Sequence, residues 1–201
     1  MTMAADADAG TSAAEDAEDA ELMRRVQMGE ESALGALMER WELPVKSVIA
    51  RLVFNSGEAE DLAQETFVRV WQQRSRFRPG AAVRPWLFSI AINLARNRLR
   101  WWRRRPTVSL DEWTEAPGTI GDLQGSTASG AGALEQAEQS AAVRSAIAAL
   151  PADLREAIVL FEYEQMSHAE IADAVGATPK AVEARIYRAK EKLRVLLKRW
   201  A

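Results

Sequence analysis

Between Thr66 and Leu110 the chain has no Asp or Glu, yet it holds Arg69, Arg74, Arg76, Arg78, Arg84, Arg96, Arg98, Arg100, Arg103, Arg104 and Arg105. Every cation there is Arg, whose planar fork pairs bidentately with phosphate or a guanine edge and stacks on bases more readily than Lys does. Trp86, Phe88, Trp101 and Trp102 are interleaved with them. Aromatic rings among cations suit unstacked single-stranded bases, at roughly 1 to 3 kcal/mol per stacked base. Trp86 is expected in the core, whereas Trp101 and Trp102, beside three arginines, divide evenly between core and surface. The whole chain has a net charge of −3, so the distribution of charge, not its total, points to nucleic acid.

Residues suited to covalent or acid-base chemistry are sparse. His168 is the only histidine and there is no cysteine, which removes a disulfide framework and a thiolate metal site. His168 falls in the first turn of a predicted helix, a place for a solvated side chain. The glycine-rich run Gly125 to Gly132 lacks the Gly-Lys-Ser/Thr ending of a phosphate-binding loop. No catalytic residue, cofactor or metal is expected.

The elements that must position the arginines are helical. Pro85 to Arg104 reads as one helix with Leu87, Ile90, Ala91, Leu94 and Trp101 on a buried face. Asn93, Arg96, Asn97, Arg100 and Arg104 recur on the other side, amides and guanidiniums of the kind that bind adenine and guanine edges. Ahead of it, Glu58 to Gln73 turns Leu62, Thr66, Phe67, Val70 and Trp71 inward and Asp61, Gln64, Glu65 and Gln72 outward. That acidic face suits a basic protein surface better than DNA, or plain solvation. Further upstream an apolar helical pattern from Leu22 to Val53 is interrupted near Gly29 and by Pro44, and Asn55-Ser-Gly57 marks a turn.

The last quarter reads as a helix-turn-helix. Ser167 and Glu170 have capping-box spacing, Gly176 suits a left-handed helix stop, Thr178 can cap the next helix and Pro179 can open it. A helix of about six turns follows, long enough to enter a major groove. Val182, Ile186, Ala189, Leu193 and Leu196 or Leu197 share one face, with Lys180, Glu183, Arg185, Arg188, Lys192, Arg194 and Lys198 on the others. The plainer alternative is a helical hairpin with a solvated charged face.

The fold class is therefore all-α: two helical domains joined by a flexible linker, the second a helix-turn-helix. Residues 1–19 form an acidic tail expected to be disordered, 20–105 the first domain, 106–133 the linker and 134–201 the second domain. The linker has Asp111, Glu112, Glu115 and Asp122, no Lys or Arg, and too little apolar content for a core. Its reach is at most about 90 Å extended, so two DNA-binding heads could sit two helical turns, about 70 Å, apart. The tail holds Asp6, Asp8, Glu15, Asp16, Glu18 and Asp19 without a basic residue. It reads either as a solubilising tail or as a strand of charge folded back on the Arg-rich surface.

Four segments in order carry a family resemblance: Glu58-Ala-Glu-Asp-Leu-Ala-Gln-Glu-Thr-Phe-Val-Arg-Val-Trp71; Pro85-Trp-Leu-Phe-Ser-Ile-Ala-Ile-Asn-Leu-Ala-Arg-Asn97; Leu150-Pro-Ala-Asp-Leu-Arg-Glu-Ala157; and His168-Ala-Glu-Ile-Ala172 with Val182-Glu-Ala-Arg-Ile-Tyr-Arg-Ala-Lys190. They resemble the extracytoplasmic-function (ECF) group of bacterial RNA polymerase sigma factors. The resemblance implies a factor that binds core RNA polymerase and directs promoter recognition. It places Asp61, Gln64 and Glu65 on the clamp helices of the largest polymerase subunit. It gives the loop Ser75 to Arg84 and Asn93, Arg96, Asn97 and Arg100 to opening and reading the -10 element. Lys180, Arg185, Tyr187 and Arg188 then fall to the -35 element, and an anti-sigma protein is a frequent partner in the family. Glu183 departs from the basic or small polar residue many relatives carry there, and a carboxylate can accept from a cytosine amino group.

The rival reading is a stand-alone two-domain helix-turn-helix transcription regulator whose first domain is a sensor. The Arg and Trp concentration, which a sensor would not need, weighs against it. No secretion signal and no run long enough to span a membrane are present, so a cytoplasmic protein without membrane insertion is expected.

Overall fold

The computed structural model describes residues 4–104 and 131–200. Among these it is all-helical, with α1 (Ala4–Gln27), α2 (Glu31–Val53), α3 (Ser56–Gln73), α4 (Val83–Arg104), α5 (Ala131–Ala148), α6 (Ala152–Tyr163), α7 (His168–Val175) and α8 (Pro179–Leu196). The expected linker, 106–133, lies outside the described residues except for its last three, which begin α5.

Helices α1–α4 pack around Met23, Val26, Ile49, Leu62, Phe67, Phe88 and Ile92, all buried. Gly29, at φ 89°, takes the left-handed conformation between α1 and α2 and donates its amide to the Val26 carbonyl at 2.9 Å. Pro44 does not interrupt α2 as the sequence suggested. A proline inside a helix removes one amide donor and crowds the carbonyl four residues back. Here Leu37 before it and Val45, Val48 and Ile49 after it are all buried, and that packing carries the helix through. Asn55 caps α3 by accepting the Glu58 amide at 2.9 Å, so Ser56 and Gly57 belong to the first turn of α3.

The N-terminal boundary needs correction. Residues 1–19 were expected to be an unstructured tail, but helix begins at Ala4 and Asp19 is 2 % exposed. Its carboxylate accepts from Arg40 at 2.6 Å and from Trp41 Nε1 at 2.9 Å, and Glu18 also pairs with Arg40. The acidic segment therefore engages α2 through its last residues.

In the second unit α6, α7 and α8 enclose Leu154, Ile158, Leu160, Met166, Ile171, Val182 and Ile186. The local signals of the helix-turn-helix are realised. Ser167 accepts the Glu170 amide while the Glu170 side chain accepts the Ser167 amide, Gly176 stands at φ 69°, and Thr178 accepts the Ala181 amide with Pro179 in the first turn. With 18 residues, α8 is one turn shorter than expected. Leu193 is half-buried, but Leu196 is 50 % exposed, and Leu197 takes the helix C-cap.

The units touch along α4 and α7, α2 and α6, and α2 and α5. Arg155 binds both sides. Its guanidinium donates to the carbonyls of Ile147, Ala148 and Leu150 at 3.2, 2.6 and 3.0 Å, and to Leu52 of α2 at 3.1 Å. Ile147 and Ala148 close α5 and Leu150 follows it, so the guanidinium sits at a helix C-terminus, where a cation is favoured.

Candidate nucleic-acid interface

On α3, burial of Ala59, Leu62, Ala63, Thr66, Phe67 and Val70 leaves the opposite face to solvent. The Thr66 hydroxyl is satisfied inside the helix by the Leu62 carbonyl at 2.7 Å. Asp61 and Gln64 are exposed, and Glu65 is half-exposed beside Arg69, 3.0 Å away. Val68, 52 % exposed, falls one turn past Gln64 and Glu65. Sequence reading passed over Val68 because a valine in a helix is ordinarily assigned to the core; its spacing from Asp61 and Glu65 was the available signal.

On α4 the buried residues are Val83, Pro85, Leu87, Phe88, Ile90, Ala91, Ile92 and Ala95. Phe88, grouped by sequence with the base-stacking aromatics, is wholly inside and meets Trp41 edge-on at 6.0 Å. Trp101, placed by periodicity on the buried face, is 41 % exposed, while Trp102 and Leu94 are half-buried against the core. Beyond Ala95 the apolar stripe continues half-buried, through Leu99 and Trp102, which pack against the core. Trp86 is half-buried, packed edge-on against Phe77 at 5.1 Å.

The proposed polar stripe on α4 is partly open. Asn93, Asn97 and Arg100 are exposed, with Arg100 donating to Asn97 Oδ1. Arg96 is different. Its Nε and one terminal nitrogen reach the two oxygens of Glu156 at 2.8 and 2.6 Å, and that nitrogen also approaches the Val175 carbonyl at 3.4 Å. The loop before α4 is held from below: Gln27 donates to the carbonyls of Arg74 and Phe77 at 3.0 and 2.8 Å. Phe77 is buried, and Arg76 and Arg78 are left exposed.

On α8, Val182, Ile186 and Ala189 face the core. The outward face presents Lys180, Tyr187 and Arg188, all exposed, with Tyr187 at 67 %. Glu183 is exposed on one flank of that face. Arg185 lies on the other flank, half-buried and 3.6 Å from Asp153 of α6. The five residues singled out on this helix therefore do not share one direction. His168 is not simply solvated either: its ring stacks on Phe161 at 5.6 Å. Among the described residues no cluster of His, Asp and Glu could hold a metal ion.

An acidic face on α3, an amide and guanidinium stripe on α4, and an exposed Lys-Tyr-Arg face on the second helix of a helix-turn-helix give three separate surfaces, two suited to DNA. Comparison with known proteins gives the same order. Residues 37–105 match the family model for sigma-70 region 2, and residues 140–193 match that for sigma-70 region 4. The chain is 34% identical over 171 residues to the ECF RNA polymerase sigma-E factor of Escherichia coli strain K12, covering 85% of this chain and 89% of that protein. It resembles the solved structure of CnrH in complex with the cytosolic domain of CnrY, with a TM-score of 0.68, 28% identity, and coverage of 92% of this chain and 99% of that one. The sigma factor RpoE of Bartonella quintana, solved with the anti-sigma factor NepR, matches with a TM-score of 0.61 at 26% identity over 81% of this chain and 97% of that one. The two family models cover more than half of the sequence in the family's order, which decides against the stand-alone regulator: this chain belongs to the ECF group of RNA polymerase sigma factors, non-enzymatic polymerase subunits that direct promoter recognition.

Proposed function

We propose the following division of labour within this sigma factor. Asp61, Gln64 and Glu65 on α3 dock core polymerase, with Val68 adding an apolar contact at the centre of that face. The loop 75–84 and Asn93, Arg96, Asn97 and Arg100 of α4 open and read the -10 element. Lys180, Tyr187 and Arg188 on α8 read the -35 element, with Glu183 and Arg185 at the edges of the contact. The first unit spans 20–105 with Glu18 and Asp19 added to it, 106–133 serves as the tether, and 134–201 is the second unit. An anti-sigma protein is a further partner, as RpoE has NepR. No helix among the described residues is long and apolar enough to cross a membrane, and the factor works in the cytoplasm, where polymerase and promoter are.

The observation that carries this reading is the exposure of Asp61 and Gln64 on a helix whose other face is wholly buried. The Asp61 carboxylate so placed adds nothing to the core and repels DNA phosphate, and together with Gln64 it suits a basic protein surface. Promoter-specific run-off transcription with core polymerase tests the assignment. Asp61→Arg/Glu65→Arg is expected to lose the transcript together with core binding. Arg188→Ala is expected to lose it with core binding intact. A charge-reversed α3 that still binds core at wild-type affinity overturns the docking face.

A further inference from the structure

The loop between α3 and α4 begins with a single 3-10 turn, Arg74–Arg76, and then leaves the body of the protein. Phe77 and Val83 are buried at its two ends, and residues 78–82 between them are all exposed. Pro79 has no amide to donate. Gly80 takes the left-handed conformation at φ 81°, in a turn closed by the Ala81 amide on the Arg78 carbonyl at 3.1 Å. An exposed tip of this kind takes its direction from the last fixed group before it.

That group is the Phe77 carbonyl. Gln27 Nε2 donates to it at 2.8 Å and to the Arg74 carbonyl at 3.0 Å. A primary amide nitrogen carries two hydrogens, so the two bonds use both, and one side chain spans the 3-10 turn from end to end. Because a peptide group is planar, fixing the Phe77 oxygen also fixes the plane from which Arg78 departs. Gln27 is itself held firmly. It is the last residue of α1, half-buried beside the fully buried Val26. The turn behind it is closed by the Gly29 amide on the Val26 carbonyl and by Arg25 donating to Glu30 at 2.9 Å.

We propose that Gln27 is a positioning residue for base selection: from beneath the loop it sets the direction of Arg78 and of the turn that follows, so that a base opened from the -10 element meets a preformed loop. This rests on the reading of loop 75–84 as part of the -10 reader. A loop already ordered adds no ordering cost when the base arrives, whereas one that swings free fits the four bases more nearly alike. Losing two neutral hydrogen bonds corresponds to a change of about tenfold or more in an equilibrium constant.

Gln27→Glu keeps the shape and removes both donors, and Gln27→Leu removes them without adding charge. Hydrogen exchange in the free full-length factor reads the fastening: the Phe77 and Ala81 amides are expected to exchange about tenfold faster in both variants, with α2 and α3 unchanged. Selection by holoenzyme from templates randomised over the -10 element reads the consequence. Discrimination is expected to fall about tenfold at one position, with the other -10 positions, the -35 preference and core binding as in wild type. A uniform loss at every position would make Gln27 a structural residue and overturn the proposal, as would an unchanged base preference or unchanged exchange. A wild-type -10 preference in the Arg78→Ala holoenzyme would remove Arg78 from the -10 reading and with it the role in base selection, and the exchange measurement still reports whether Gln27 fastens the loop.

Discussion

Asp19 and Trp41 are joined by a hydrogen bond of 2.9 Å from the indole nitrogen to a carboxylate that is 2 % exposed. With the Arg40 contact at 2.6 Å on the other oxygen, this ties α1 to α2. Trp41 in turn lies edge-on to Phe88 in the core, so an acidic residue near the start of the chain helps set the packing of α4.

Asp19→Ala leaves the indole nitrogen without its acceptor and takes one of the carboxylates from Arg40, which keeps Glu18, and hydrogen bonds to charged groups are worth about 2 kcal/mol. Urea denaturation is expected to show a loss of about that size, smaller for Asp19→Asn, which keeps one acceptor. Removal of residues 2–14 should leave the midpoint unchanged, whereas removal of 2–19 should lower it. A deletion that tests fold-back of the tail on DNA-binding surfaces therefore has to stop before Glu18. Equal stability of the two truncations would show that the Asp19 contacts contribute nothing.

Gly176 ends α7 at φ 69°, and a Cβ built there meets no atom within 4 Å. The cost of Gly176→Ala is thus the backbone conformation alone, about 1 to 2 kcal/mol. Gly176→Asn should lose less, since asparagine tolerates the left-handed region. Chemical denaturation of both variants checks this. A larger loss for Asn than for Ala would mean that something other than backbone strain governs the turn.

Burial pushes the Glu164 carboxyl above its usual range, against the opposing pull of Arg84 and Arg51. Between the ordinary value and the raised one the native state binds more protons than the unfolded chain, so this group's contribution to stability grows as pH falls through that window. Above the raised value the ionised, half-buried carboxylate opposes folding. Glu164→Gln is therefore expected to have a higher Tm than wild type at pH 7, with the gap closing as the pH falls toward the ordinary carboxylate value. A gap that widens on acidification reverses the sign and assigns Glu164 a stabilising role as an anion.

The helix-turn-helix was legible because its determinants are local. A capping box, a left-handed glycine and an N-terminal proline each act within four residues, and all are in place between Ser167 and Pro179. The inward face of α3 was legible from its period. What sequence hid is tertiary. Nothing near Asp19 says that Arg40 and Trp41 will enclose it, and nothing near Arg96 announces Glu156. Periodicity put Trp101 on the buried face of α4, but in that turn it is Leu99 and Trp102 that pack against the core and Trp101 that is exposed. It marked Pro44 as a break because local propensity omits the packing of Val45, Val48 and Ile49.

Glu183 is exposed on the flank of α8 beside the Lys180, Tyr187 and Arg188 face. A carboxylate at a groove edge repels phosphate, yet it can accept a hydrogen bond from the cytosine amino group, a contact that discriminates by roughly 1 to 3 kcal/mol. Its removal should therefore change which sequence is preferred more than how tightly promoter is held. Selection from a library randomised over the -35 element, using holoenzyme, is expected to return a different base preference for Glu183→Arg, with guanine gaining where the wild type takes cytosine. Weaker salt dependence of binding should not accompany the change, because an added arginine brings a phosphate contact and steepens the slope by about one unit. An unchanged preferred sequence would remove Glu183 from base recognition and leave it a solvated side chain on the rim of the groove.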